Sequence, residues 1–122
     1  MKTVGIYVHQ YFKLAEGIKE ELKTGGVQAF SHECFCRINS SSVLEDIAVV
    51  HPGDKDEKCF LEIRKKIKEN PKTKFYVFSF KHPEREIGIG SEEENKNLRY
   101  VKEENIKGFF LRLFGEARRK ED

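Results

Sequence analysis

The chain has no tryptophan, one methionine and three prolines among its 122 residues, and its three cysteines are too few to build a disulfide framework. Free thiols are typical of a reducing compartment, so we expect a cytoplasmic protein. No apolar run approaches the roughly 18 residues that cross a bilayer, so we expect no membrane span. The first ten residues also lack the apolar core and cleavage site of a secretory signal.

A strong charge of either sign is also missing. The chain carries 23 basic and 21 acidic residues, which gives a formal net charge of +2. So weak an overall field argues against nucleic acid as the partner. Charged residues still make up 36% of the sequence, and their lysine and glutamate excess resembles the surface of thermophile proteins. The length suits one domain, residues 1–122, with one core.

What the chain does contain is a series of short apolar runs rich in β-branched and aromatic residues. These runs predict five strands, at 3–9, 27–36, 47–51, 74–80 and 98–102. Apolar stripes at helical spacing predict helices between them, from Tyr11 to the Gly25-Gly26 pair, at 55–69 and at 104–119. Ser-x-x-Glu spacings predict short helices at 42–46 and from Ser91, within an otherwise polar loop at 81–97.

This alternation of strands and helices predicts an α/β fold. A chain of this kind folds into a mostly parallel sheet with helices on both faces, a three-layer α/β/α sandwich. Five strands in such a chain commonly take the flavodoxin-like order 2-1-3-4-5.

The ends of the predicted strands carry the polar residues that bear on function. The first strand ends in His9-Gln10, the third in His51, the fourth carries Ser79 and the fifth carries Lys102. With this layout the chain resembles a response-regulator receiver domain over nearly its whole length. In that family the first strand ends in an acidic pair that helps hold Mg²⁺, and the third ends in the phospho-accepting aspartate. The fourth ends in serine or threonine and the fifth in lysine.

Ser79 and Lys102 therefore match the family pattern, whereas His9-Gln10 and His51 stand where its acids would be. Mg²⁺ prefers carboxylate and water oxygens, and phosphoryl transfer to an aspartate requires the aspartate. The resemblance implies a signalling domain without its phosphorylation site. We therefore expect a non-catalytic regulatory or protein-interaction domain that needs no cofactor.

The strand-end histidines support an alternative. His9, His51 and His82 all lie at or just after predicted strand ends, where open α/β sheets bind their ligands. In a 2-1-3 order, His9 and His51 end adjacent strands, and two imidazoles suit a transition metal, a phosphate or a nucleotide. Asp54, in the turn after His51, would add an acid, although helix capping explains it without chemistry and is the interpretation we favour. The alternative is a small enzyme or ligand binder.

The cysteines give a weaker indication of a metal site. His32, Cys34 and Cys36 share one face of a predicted strand, but its first and last members lie about 13 Å apart in an extended chain. One zinc ion cannot bind both unless the strand bends. Cys59 falls on the apolar stripe of a helix, so we expect it in the core.

The last helix is more apolar than one packed face requires. Phe110, Leu111 and Phe114 extend its stripe beyond Phe109 and Leu113, and such an excess often marks a partner surface. Receivers commonly pair through this region, so the resemblance implies a homodimer. A neighbouring loop that covers the excess is the other explanation.

Two basic runs, Arg64-Lys65-Lys66 and Arg118-Arg119-Lys120, leave a nucleic-acid-associated factor as a third option. Acidic neighbours dilute both runs, so we expect solvated helix faces there.

Overall fold

Strands and helices alternate along the chain in a computed structural model, which describes residues 2–8, 12–33, 35, 43–52, 57–78, 83–101 and 106–117. The strands are β1 (Val4–Val8), β2 (Ala29–Glu33), β3 (Ile47–His51), β4 (Lys74–Phe78) and β5 (Leu98–Val101). The helices are α1 (Phe12–Thr24), α2 (Glu57–Glu69), α3 (Pro83–Ile89) and α4 (Ile106–Ala117).

The five strands form one sheet in the order β2-β1-β3-β4-β5, and all four pairings are parallel. Buried side chains of α1 and α4 pack on one face of the sheet, and those of α2 and α3 pack on the other. The predicted three-layer, flavodoxin-like α/β fold and its strand order are therefore confirmed.

The middle strands are buried on both faces, which explains their sequences. Every residue of β1 and β3 is buried, as are the last four residues of β4. A parallel strand covered by helices on both sides is a continuous apolar run rather than an alternating one. The bounds predicted for β3, 47–51, are those of the structure, and Cys59 is buried in the core as expected.

Glycine ends α1 in the way its position predicted. Gly26 has a φ of +80°, a left-handed conformation that glycine adopts without steric cost. Its N–H donates to Lys23 O at 2.9 Å, and the N–H of Val27 donates to Leu22 O at 2.9 Å. This pair of bonds is a Schellman motif, and it turns the chain from α1 toward β2.

An asparagine side chain joins the end of α2 to the two strands that follow. The two N–H groups of the Asn97 side-chain amide are shared among three carbonyl oxygens, those of Ile67, Asn70 and Thr73, which lie 3.0–3.1 Å from Nδ2. The backbone carbonyl of Asn97 accepts from the N–H of Phe75 at 2.7 Å. One residue before β5 thereby satisfies carbonyls at the end of α2 and fixes the start of β4.

Both short helices predicted from the Ser-x-x-Glu spacings are wrong. Residues 43–46 are not helical, because the carboxylate of Glu45 turns inward to buried partners instead of capping a helix. After Ser91 the chain makes a turn over 92–94, although Ser91 Oγ does accept the predicted bond from the N–H of Glu94 at 3.1 Å.

Helix α3 lies in the segment that sequence analysis predicted to be a polar loop. Its seven residues begin at a proline, which suits the first turn of a helix. Its described buried side chains are Arg85 and Ile89, so no apolar stripe reveals it. A Cβ at Gly88 would lie 2.9 Å from the Phe60 ring, and glycine there lets α3 pack closely against α2.

The basic run of α2 is only partly the solvated face that was expected. Lys66 is buried, and its Nζ lies 3.9 Å from Glu62. Lys65 is exposed and lies 3.9 Å from Glu69. The lysines of this run therefore face carboxylates of their own helix. Within the described residues, no helix is both long enough and apolar enough to cross a membrane.

Strand β4 and helix α4 are joined by a half-buried polar cluster. The carboxylate of Glu116 accepts from Tyr76 Oη and lies 3.0 Å from Lys74 Nζ. Burial alone would raise the pKa of Glu116, but hydrogen bonds from Tyr76 and Lys74 and the charges of Lys74 and Lys2 outweigh it. The pKa of Glu116 is therefore lowered.

We expect this cluster to make stability depend on pH. Because the folded pKa of Glu116 lies below its ordinary value of 4.5, the carboxylate stabilises the fold above that pH. The contribution is lost as pH falls through the folded pKa. Urea unfolding of the wild type and Glu116→Gln between pH 7 and pH 3 measures it, with the two free energies converging at low pH. Curves that stay parallel would contradict the prediction.

Candidate functional site

The carboxyl edge of the sheet is where folds of this class bind ligands. Val8, the last residue of β1, pairs with His51, the last residue of β3. The strand adjacency behind the predicted histidine site is therefore confirmed. The His51 side chain is buried, with 3% of its surface exposed, and its ring centre lies 5.7 Å from that of Phe78 on β4.

Arg85 of α3 reaches over the same edge and is fully buried, with no exposed surface. Its Nη1 donates to Phe78 O at 3.0 Å, and its Nη2 donates to Pro52 O at 3.1 Å. Phe78 ends β4 and Pro52 directly follows β3, so one guanidinium fastens two neighbouring strand ends to α3. Carbonyl acceptors of this kind let a buried cation keep its charge. The edge thus carries a fixed positive charge.

Most of the residues predicted for this site lie outside the described part of the chain. They are His9, Gln10, Asp54, Ser79, His82 and Lys102. Of the predicted ligand-binding residues, the structure places His51, at the strand end where it was expected. Arg85, which sequence analysis did not single out, bonds to the carbonyl of the residue after His51.

The residues of α4 on and beside the predicted partner surface differ in how far they are buried. Leu111 is 74% exposed, whereas Phe109 and Leu113 are buried in the core. Phe114 is half-buried and packs against the core cluster of α1 and α4, which accounts for part of the apolar excess. The side chain of Phe110 lies outside the described residues.

A second polar cluster, formed by Tyr7, His32 and Glu45, lies on the sheet face that α2 and α3 cover. Glu45 is buried, and its Oε2 accepts from Tyr7 Oη at 2.9 Å while its Oε1 contacts His32 Nε2. Tyr7 and His32 are direct partners across β1 and β2, and their rings stack 4.7 Å apart at 16°. Two neighbouring strands therefore supply the partners of one buried carboxylate.

Glycine at position 5 makes room for that carboxylate. A Cβ on Gly5 would lie 2.6 Å from Glu45 Cδ and 2.7 Å from Glu45 Oε1. These separations are far below van der Waals contact, so any side chain there would displace Glu45 from its partners. Phe35 covers the same region, with its ring centre 4.3 Å from that of Tyr7.

The electrostatics of the cluster keep Tyr7 a neutral donor. Burial, followed by the negative charge of Glu45 and the hydrogen bond to it, raises the pKa of Tyr7 far above its usual value. His32 keeps about a third of its side chain exposed while its Nε2 is held by the carboxylate. A carboxylate that fixes one imidazole nitrogen also fixes the direction of the other.

The predicted metal ligands do not form a group within the described residues. No three His, Cys, Asp or Glu side chains in those ranges are arranged to hold a metal ion. Cys34 and Cys36, which were considered together with His32, lie outside them.

Glu45 and Arg85 were missed because each sits in a pattern with a simpler interpretation. Glu45 completes a Ser-x-x-Glu spacing, which suggested a helix cap. Gly5 in an otherwise apolar strand was the available signal, since a strand glycine often marks a close approach of other atoms. For Arg85, the signal was Pro83, a helix-starting residue.

We expect Gly5→Ala to destabilise the protein by roughly 1–3 kcal/mol, because the added methyl group overlaps the Glu45 carboxylate. Gly17→Ala is the matched control, since a Cβ there meets nothing within 4 Å on an exposed helical position. It should stabilise by about 0.5–1 kcal/mol. Urea unfolding of both variants at pH 7 measures the difference, and equal midpoints would mean that Gly5 does not hold the carboxylate in place.

Similarity to known proteins extends to the fold alone. No protein-family model matches the chain, and no curated protein sequence matches it significantly. Among solved structures, the crystal structure of adenylate cyclase from Rhodopirellula baltica aligns with 96% of this chain and 90% of that one. The TM-score is 0.63 and the sequence identity is 11%, a level that shows a shared fold and nothing finer. The fold implied by the receiver resemblance is thus confirmed, whereas membership of that family is not shown.

Proposed function

We propose that this protein is a non-catalytic regulatory or protein-interaction domain with receiver-like architecture and no phosphorylation site. The observation that carries the proposal is the buried Arg85 guanidinium, bonded to Phe78 O and Pro52 O at the ends of β4 and β3. In the family that the chain resembles, this edge gathers carboxylates around Mg²⁺. A fixed cation at the same edge repels a second one in a poorly screened environment.

The sequence at the strand ends supports the same conclusion. His9-Gln10 follows β1 and His51 ends β3, so neither position supplies the acids on which phosphoryl transfer depends in that family. His51 is also nearly inaccessible to solvent, which makes it a poor acceptor for a phosphoryl donor in solution.

For the partner we favour a second copy of the chain, bound through α4. Leu111 supports this choice, because a leucine that is 74% exposed to water is stabilised when a partner covers its apolar surface. Its neighbours Phe109 and Leu113 are fixed in the core, so the backbone that presents Leu111 is held in place.

We expect no phosphorylation when the protein is incubated with acetyl phosphate and Mg²⁺, measured by intact mass, with a phosphorylating receiver as the positive control. Mg²⁺ with beryllofluoride should likewise leave the melting temperature unchanged. Because the structural neighbour is an adenylate cyclase, ATP is also tested, with either Mg²⁺ or Mn²⁺ and with cyclic AMP as the product assayed. An acid-labile phosphoryl adduct, or cyclic AMP formed by this chain, would overturn the proposal.

Self-association is tested by sedimentation equilibrium of the wild type and Leu111→Ser. We expect the substitution to weaken the dimer at least tenfold, about 1.4 kcal/mol. Leu61→Ser is the matched control, because Leu61 is also a leucine, 61% exposed, on helix α2. A wild type that stays monomeric up to millimolar concentration, or equal losses in the two variants, would reject α4 as the interface.

A further inference from the structure

Strand β2 is the outermost strand on one side of the sheet. Within the described residues it pairs with β1 on one side and with no strand on the other. The N–H of Val4 donates to Gln28 O at 3.0 Å, and Val4 stands in register with Ala29. In a parallel ladder, this register directs the backbone N–H and C=O groups of Phe30 and His32 toward β1, where they form the hydrogen bonds of the ladder.

The alternate residues of β2 therefore turn their backbone groups outward. Ser31 and Glu33 are both exposed and present two N–H and two C=O groups along this edge, whereas Ala29, which has the same phase, is buried with 3% of its surface exposed. Such a row is a template for one more strand, the mode of recognition in which an extended peptide joins a sheet.

A groove of about 390 Å³ lies beside the amino end of this edge, between β2 and the last turns of α1. Its lining includes the apolar residues Val27, Ala29 and Phe30, of which Phe30 is 48% exposed. Lys19 and Lys23 are its charged lining residues, and none of the described residues that line it is acidic. The groove is thus suited to an apolar side chain that is followed by a negative charge.

The charges along β2 differ at its two ends. Lys19 and Lys23 lie beside its amino end, in the groove. At the other end Glu33 is exposed, and Glu16 Oε1 lies 3.5 Å from Ser31 Oγ. A strand laid along β2 therefore meets positive charge near Ala29 and negative charge near Glu33.

We propose that the β2 edge binds an extended peptide by strand addition, with acidic residues of the peptide at the Ala29 end and basic residues at the Glu33 end. The backbone of the peptide bonds to Ser31 and Glu33, and one of its apolar side chains enters the groove. The charge asymmetry fixes how the peptide lies along the edge, since the reversed placement opposes like charges at both ends. This site involves neither α4 nor the residues His51 and Arg85, so it stands apart from the proposed function.

The probe is a fluorescent heptapeptide, blocked at both ends, with alternating valines, two aspartates toward one end and two lysines toward the other. Both chain orders are used, because strand addition can be parallel or antiparallel. We expect saturable binding of one order, followed by fluorescence anisotropy at low salt. The same peptide with N-methyl groups on the residues that face β2 should lose binding at least tenfold, since it cannot make the backbone bonds.

On the protein side, Ser31→Pro removes one outward N–H without touching the ladder to β1, as proline at a sheet edge allows. It should raise the dissociation constant at least tenfold. Ser31→Ala is its matched control, because it deletes the hydroxyl and keeps the N–H. Lys19→Glu combined with Lys23→Glu should also weaken binding tenfold, whereas Lys13→Glu, an exposed lysine of α1 outside the groove, should not.

Three results would overturn the proposal. The first is no saturable binding of either peptide order, and the second is binding that N-methylation leaves unchanged. The third is a wild-type dimer that Ser31→Pro dissociates, which would assign the edge to a second copy of the chain. Because the Leu111→Ser experiment tests a different surface, either proposal can fail without the other.

Discussion

A single buried carboxylate constrains much of the sheet's first half. Glu45 precedes β3 and is buried. A charge at a buried position is tolerated only when hydrogen-bond partners replace the water that solvated it. Tyr7 on β1 and His32 on β2 are those partners. This arrangement requires glycine at position 5 and a non-helical backbone at residues 43–46. It also requires the register of β1 and β2 that stacks the rings of Tyr7 and His32.

Arg85 has a comparable role at the carboxyl ends of the strands. Glu45 precedes β3, whereas Arg85 bonds to carbonyls at the far ends of β3 and β4. Both charges lie on the face that α2 and α3 cover, and both are satisfied by groups from two different segments of the chain. Removing the partners of such a charge costs more than the pair contributes when intact. The sheet is therefore held at both ends by polar contacts and in the middle by apolar packing.

The elements that sequence analysis predicted well are those whose signal is local. Buried parallel strands are unbroken apolar runs, and β3 emerged with its observed bounds. The glycine pair that ends α1 works through bonds within one turn. The role of Glu45 was not predicted because its partner Tyr7 lies 38 positions away in the sequence. Helix α3 was not predicted because its buried side chain Arg85 bonds to Pro52, 33 positions earlier. For the candidate site, the position of His51 was predictable, but its burial depends on helices that pattern alone does not locate.

The Asn97 amide has a consequence for how the second half of the molecule opens. Its three bonds tie the end of α2 and the approach to β4 to the residue that precedes β5, a strand of four residues at the sheet edge. An edge strand this short would ordinarily fray by itself. With Asn97 in place, detaching β5 also exposes the last carbonyls of α2, so we expect α2, β4 and β5 to open and close as one cooperative unit. We therefore expect the amide hydrogens of β5 to be protected from exchange to about the same degree as those of α2, although no backbone ladder joins the two elements.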